Sequence, residues 1–342
     1  MGIPFFIATF AIVMKYSIII PVYNRPDEVD ELLAGLQLQT VSDFEVVIVE
    51  DGSQIPCKEI VAKYQGKFPI QYLWKENGGP SPARNYGVEH AQGEYILILD
   101  SDVVLPQGYL AAVEKELEEN PCDAFGGPDA ANESFSPIQK AISYSMTSFF
   151  TTGGIRGGKK KMDKFYPRSF NMGMKRDVYK ALGGFSDMRF GEDVDLSYRV
   201  FENGYRCRLF PEAWVWHKRR TDFRKFFKQV FNSGIARINL TKRHPGTLKL
   251  VHLLPAVFTV GVVVLLLGSM LTVYSLLPLL FYVLLIFCGA TLKERSMWVG
   301  VLAIPAAFVQ LGGYGMGFIW SWWQRCVLGK GEFGAFQNTF YK

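Results

Sequence analysis

The chain has 342 residues, and what it lacks narrows the choice of function first. Its five cysteines (Cys57, Cys122, Cys207, Cys288 and Cys326) are scattered and form no C-x-x-C pair. That pattern argues against a disulfide framework and a zinc site, and for a reducing compartment. The four histidines are equally dispersed and no H-E-x-x-H occurs, which excludes the common zinc-hydrolase arrangement. No G-x-G-x-x-G follows the first strand-like run, so a dinucleotide dehydrogenase is disfavoured. The formal net charge is +5, yet no recognised nucleic-acid module is present and no nucleic-acid partner is expected.

Charge itself is missing from two long stretches. No Asp, Glu, Lys or Arg lies between Lys249 and Lys293, or between Arg295 and Arg325, whereas Lys15 to Arg243 is charged at ordinary soluble density. With 20% charged and 49% hydrophobic residues, the chain is neither disordered nor wholly membranous. A soluble domain with a membrane tail is expected. The segment 1–13 is apolar, too short for a span of about 20 residues and without the basic start of a signal peptide. Met14, followed at once by Lys15, reads as the native start, and a membrane-touching segment is the alternative for residues 1–13.

From Tyr16 the sequence alternates apolar runs with helical patterns. Tyr16 to Val22, Phe44 to Glu50, Ile70 to Trp74 and Tyr95 to Asp100 are short, apolar and bounded by turns, as buried strands are. Between them, Asp27 to Leu38 has Val29, Leu32, Leu33 and Leu36 at helical spacing. A further helix is expected near Lys58 to Tyr64, and Pro80 and Pro82 open another that closes near Gly93. Such alternation predicts an α/β fold, a mostly parallel sheet with helices on both faces. Ligands bind beyond the carboxyl ends of such strands, where the sequence places Tyr23, Asn24, Glu50, Asp51, Asp100, Ser101 and Asp102.

The domain is expected over residues 15–220, followed by a basic juxtamembrane helix within 221–248, about three transmembrane helices within 249–325 with a turn near Tyr274 and Ser275, and a short tail at 326–342. The basic helix, Phe223 to Arg243, carries Arg224, Lys225, Lys228, Arg237, Lys242 and Arg243. Lys and Arg mark cytoplasmic flanks, so a cytoplasmic catalytic domain on a multi-pass membrane protein is expected.

Asp100 and Asp102 flank one residue at a strand end, a spacing suited to a hard cation such as Mg²⁺ or Mn²⁺; a solvated turn would look the same. Gly191-Glu192-Asp193-Val194-Asp195 opens a helix with three acids in four residues. That is more than a helix start needs, and a carboxylate there can serve as general base. Asp195 and Leu196 read as structural. His217 follows an apolar run and becomes a metal ligand only if the fold carries it to the aspartates. Arg84, in the proline-opened helix, suits a phosphate. Gly153 to Lys160 nearly matches a P-loop but lacks its Ser or Thr, and reads as a mobile basic loop that closes over an anion.

Together PVYNRPDE (Pro21 to Glu28), EDGS (Glu50 to Ser53), GGPSPARNYG (Gly78 to Gly87), LDSD (Leu99 to Asp102) and GEDVDLSYR (Gly191 to Arg199) resemble family 2 glycosyltransferases of the GT-A fold, a Rossmann-like architecture. The resemblance covers about Lys15 to His217. It implies that Pro21, Tyr23 and Asn24 line a nucleotide pocket, that Asp51 hydrogen-bonds the base, and that Arg84 lies near the base or diphosphate. It further implies Asp100 on the ribose or a divalent metal, Asp102 on the metal, His217 as a further ligand, Asp193 as catalytic base and Glu192 beside it. Asn171 to Lys175 resembles a segment that shapes the acceptor side. Glu50 stands where the family more often has Asp. The Q-x-x-R-W motif of processive synthases is absent; Lys228 to Asn232 stands in its region. The implied activity is metal-dependent, inverting transfer of one sugar from a nucleotide sugar, UDP-linked by preference, to a lipid-linked saccharide or other glycan. A polyprenyl-phosphate glycosyltransferase, a nucleotidyltransferase and a non-catalytic nucleotide-binding scaffold are the alternatives.

Overall fold

The computed structural model describes residues 14–130, 135–153, 165–218 and 220–336. The segment 1–13 and the Gly/Lys-rich stretch 154–164, both singled out by sequence, lie outside them. The first half follows the alternation expected: β1 (Tyr16–Val22), α1 (Pro26–Gln37), β2 (Phe44–Asp51), α2 (Lys58–Ala62), β3 (Ile70–Lys75), α3 (Pro80–Glu89) and β4 (Tyr95–Leu99). Strand side chains alternate between faces, and here both faces are covered. Ile18, Ile20, Val46, Ile48, Leu97 and Leu99 pack into one core with α1. Ile19, Val47, Val49, Ile96 and Ile98 pack into a second core that includes Ala83 and Val88 of α3. Two-sided burial is why these strands read as continuous apolar runs.

The chain continues through β5 (Val103–Val104), α4 (Tyr109–Glu119), β6 (Ala124–Gly126), β7 (Asp129–Ala130), α5 (Pro137–Thr147), α6 (Phe149–Thr152) and β8 (Asn171–Lys175). After α7 (Arg176–Ala181) come α8 (Glu192–Glu202), β9 (Cys207–Leu209) and β10 (Val215–His217). Among the described residues a seven-stranded sheet runs β3-β2-β1-β4-β8-β6-β9, beside a three-stranded sheet β5-β10-β7. The large sheet is mostly parallel, but β8 runs antiparallel between β4 and β6. Asn171 to Lys175 is therefore sheet interior. Asn171 accepts from the Tyr109 hydroxyl at 2.7 Å and donates to the Ala213 carbonyl at 2.8 Å, a structural part where the resemblance implied an acceptor-side one.

The basic helix appears as α9 (Phe223–Arg243), with Arg224, Lys225, Lys242 and Arg243 exposed. Lys228 is buried, Lys242 donates to the Arg325 carbonyl at 2.7 Å, and Arg243 reaches Glu332 and Asp187, each at 2.9 Å. Three apolar helices follow: α10 (Leu254–Gly268), α11 (Leu277–Glu294) and α12 (Met297–Trp322). Two stretches, Val273–Glu294 and Met297–Val327, are long and apolar enough to cross a membrane, while Leu254–Gly268 is shorter. Of the three spans expected, two fall on helices of sufficient length and the third on a helix of 15 residues, too short by that measure.

Helix α12 is the hub of this region, and glycine is the reason. A Cβ on Gly317 would collide with the Phe231 carbonyl of α9, and one on Gly234 with the Tyr314 carbonyl of α12. Small residues let helix backbones approach this closely. Gly317→Ala is expected to lower the thermal midpoint of the detergent-solubilised protein by the equivalent of about 1–3 kcal/mol. Gly312→Ala, whose Cβ would meet nothing within 4 Å, should leave it unchanged or raise it slightly. Equal midpoints for the two variants would contradict this packing.

Candidate active site

The strand ends converge as the topology requires. All ten residues singled out by sequence (Pro21, Tyr23, Asn24, Asp51, Arg84, Asp100, Asp102, Glu192, Asp193 and His217) line one cavity of about 1230 Å³. Asn24 supports its neighbours from a left-handed backbone, φ 54°, a conformation asparagine tolerates better than most residues. Its Oδ1 accepts from the backbone amides of Gln54 and Ile55 at 2.7 and 3.0 Å. Asp51 closes the turn before α3: Oδ1 accepts from Lys75 Nζ at 2.8 Å and the Gly78 amide at 2.9 Å, and Oδ2 from the Gly79 amide at 2.8 Å. Glu50 is fully buried, bonded to Ser53, the Cys57 amide and Tyr72, so it serves the fold rather than the cavity.

The small sheet brings His217 to the aspartates. Strand β10 pairs antiparallel with β5, setting His217 opposite Val103, the neighbour of Asp102. His217 Nε2 lies 3.3 Å from Asp102 Oδ1, and Phe170 stacks on the imidazole with ring centroids 4.6 Å apart. Ligand atoms of Asp100, Asp102 and His217 all lie within 4.8 Å of one another. Arg84 takes Asp100 Oδ1 at 2.8 Å and Arg25 takes Asp102 Oδ2 at 2.9 Å. Burial alone would raise the Asp102 pKa, but the charges of His217 and Arg25 beside it pull it well below the usual carboxylate range. Two carboxylates and one imidazole fit Mn²⁺ or Mg²⁺.

Arg84 reaches the cavity from α3. Its guanidinium is buried and bridges Asp100 to Glu192 Oε1 at 2.8 Å, with the Phe185 ring 5.1 Å from Cζ. It therefore ties the end of β4 to the start of α8. There Gly191, at φ 84°, makes the left-handed entry and packs against Ala236 and Leu240 of α9. Asp193 Oδ1 accepts from the Val194 amide at 2.8 Å, and its Oδ2 lies 3.5 Å from Arg168. Asp195 is turned away, held by Arg199 and by His244 at 3.0 Å, as its structural reading expected. Sequence reasoning assigned no role to Arg25, Arg168 or the α9 and α12 residues Gln229, Ser233, Arg237 and Tyr314, which share the cavity. Arg25 lay in view, inside the PVYNRPDE run.

Burial, with the charge of Asp193 adding to it, outweighs Arg84 and pushes the Glu192 carboxyl up to about 7. An acid whose pKa is raised by folding stabilises the folded state most below its unfolded pKa of 4.5. That contribution is lost as pH rises through about 7. In metal-free buffer, the thermal midpoint of the native protein relative to Glu192→Gln is expected to fall between pH 5 and pH 8. A difference independent of pH would contradict this.

The model of the family described as Glycosyl transferase family 2 matches residues 17–183. An uncharacterized glycosyltransferase of Rickettsia conorii is 40% identical over 106 residues, covering 31% of this chain and 18% of the relative. The poly(ribitol-phosphate) beta-N-acetylglucosaminyltransferase TarS of Staphylococcus aureus is 35% identical over 114 residues, 32% of this chain and 20% of TarS. Among solved structures, the mannosyltransferase PcManGT from Pyrobaculum calidifontis, in complex with GDP-Man and Mn²⁺, superposes with a TM-score of 0.58 at 19% identity over 87% of each chain. TarS 1–349 in complex with UDP-GlcNAc gives a TM-score of 0.50 at 19% identity over 93% of each. At such identities the superpositions speak for the fold alone, and the family assignment comes from the sequence match. Residues 17–183 of this chain form a glycosyl transferase family 2 domain, set in a GT-A fold.

Proposed function

We propose that the protein is a membrane-anchored, metal-dependent, inverting glycosyltransferase that moves one sugar from a nucleotide sugar to a lipid-linked saccharide on the cytoplasmic side. One observation carries the reading: Asp100, Asp102 and His217 lie within 4.8 Å of one another, in the cavity that Asp193 also lines. A divalent cation held by these three would neutralise the charge on the departing diphosphate. Asp193 would take the proton from an acceptor hydroxyl while its oxygen attacks the anomeric carbon. The bond from that carbon to the diphosphate oxygen breaks, and the nucleoside diphosphate leaves with the electron pair. One displacement of this kind inverts the anomeric centre. Arg168 lies 3.5 Å from Asp193 Oδ2 in the same cavity.

The two nucleotide sugars bound in structures of the same fold, GDP-Man and UDP-GlcNAc, support a nucleoside-diphosphate sugar as donor, with UDP-sugars the first to test. The apolar stretches Val273–Glu294 and Met297–Val327 support a membrane-bound acceptor. The Lys and Arg on their flanks support a cytoplasmic domain. Detergent-solubilised protein, given labelled nucleotide sugars, Mn²⁺ and a membrane lipid extract, is expected to move label into the organic-extractable fraction. Label found only in a water-soluble glycan would refute the lipid-linked acceptor.

A further inference from the structure

We infer that Arg237 binds a phosphate carried by the lipid part of the acceptor, in a recess where the cavity meets the apolar helices. The inference rests on the proposed glycosyltransferase reading for its role, but the binding it predicts needs no turnover. Arg237 projects from α9 and donates to the Tyr198 hydroxyl of α8 at 3.0 Å. It also hydrogen-bonds Tyr314 of α12. Guanidinium groups this enclosed ordinarily pair with a carboxylate. Arg84 pairs with Asp100 and Glu192, and Arg199 with Asp195. Arg237 instead meets two phenols, with no ion pair among the described residues, and its buried Nε has no hydrogen-bond partner there.

Among the described residues no carboxylate pairs with Arg237, so an anion brought to it would be favoured. Gln229, Ser233, Arg237 and Tyr314 line the same cavity as Asp193. A guanidinium fork with hydroxyl and amide donors around it suits a phosphate, which offers three acceptor oxygens. Its place fits a lipid-borne group: Gly315, next to Tyr314, packs against Pro255 and Thr259 in the first turns of α10.

The phosphate would be a handle, not the nucleophile. Tyr198 stands five residues after Asp193 on α8, about 7.5 Å along the axis. That separation leaves room for a saccharide hydroxyl at Asp193 while the lipid phosphate rests on Arg237.

The test compares binding of geranylgeranyl phosphate, geranylgeraniol and inorganic phosphate to the full chain in detergent, followed by intrinsic fluorescence. The native protein is expected to prefer the phosphate over the alcohol by at least about tenfold. Arg237→Gln should abolish that preference, and Arg237→Lys should keep part of it. If both variants misfold, Tyr314→Phe is expected to reduce the preference about fivefold. Equal binding of phosphate and alcohol by the native protein would overturn the inference, as would an undiminished preference in Arg237→Gln. Inorganic phosphate binding as tightly as the lipid phosphate would overturn its lipid origin. Absence of sugar transfer with the preference intact would count against the glycosyltransferase reading alone.

Discussion

Asp193→Asn is expected to lower the rate of sugar transfer by about 10³-fold at saturating substrates, with the KM for the nucleotide sugar changed less than about threefold. The split follows from position. Asp193 sits in the first turn of α8, in the cavity that Asp100 and Asp102 also line. Asparagine preserves the shape and can still accept from the Val194 amide, so the helix start survives while the proton acceptor is lost. Steady-state kinetics with a lipid-linked saccharide settle the matter. A loss below about tenfold would show that no base is needed at this position. An acceptor that is already an anion would behave in that way, and the polyprenyl-phosphate alternative would then be favoured.

Metal removal is the second large effect. Chelation by EDTA is expected to reduce transfer to background and Mn²⁺ or Mg²⁺ to restore it, whereas Asp102→Ala should stay at least about 10³-fold down at every metal concentration. Asp102 is the more exacting choice because it faces His217 on one oxygen and Arg25 on the other. Removing it takes an acidic partner from Arg25 and would leave the cation one carboxylate short. Nucleoside diphosphate release measured against metal concentration reads the effect. Full activity in EDTA would contradict the metal assignment.

Much of this was legible because the signals were local. β1, β2 and β4 are runs of Ile, Val and Leu closed by turns, and two-sided burial demands such runs. The acids of α8 declared themselves because a helix start needs fewer than it has. Pairings between distant segments were not legible. β8 reads NMGMK, without a β-branched residue, and takes its antiparallel place from the neighbours that flank it. β5, β7 and β10 span two or three residues each, too short for a pattern, yet their pairing carries His217 to Asp102. Arg84 was legible as a site residue, but its two carboxylate partners were not, because they lie on separate elements.

One cleft is proposed to hold a nucleotide sugar, a divalent cation and a base. Nucleoside diphosphate release from a panel of nucleotide sugars, by the solubilised full chain with Mn²⁺ or Mg²⁺ and membrane lipid extract, tests this. Metal-dependent release from one donor class is expected, abolished in Asp102→Ala and Asp193→Ala alike. Folded protein that binds nucleotide yet turns over no donor would contradict it and point to a nucleotide-binding scaffold.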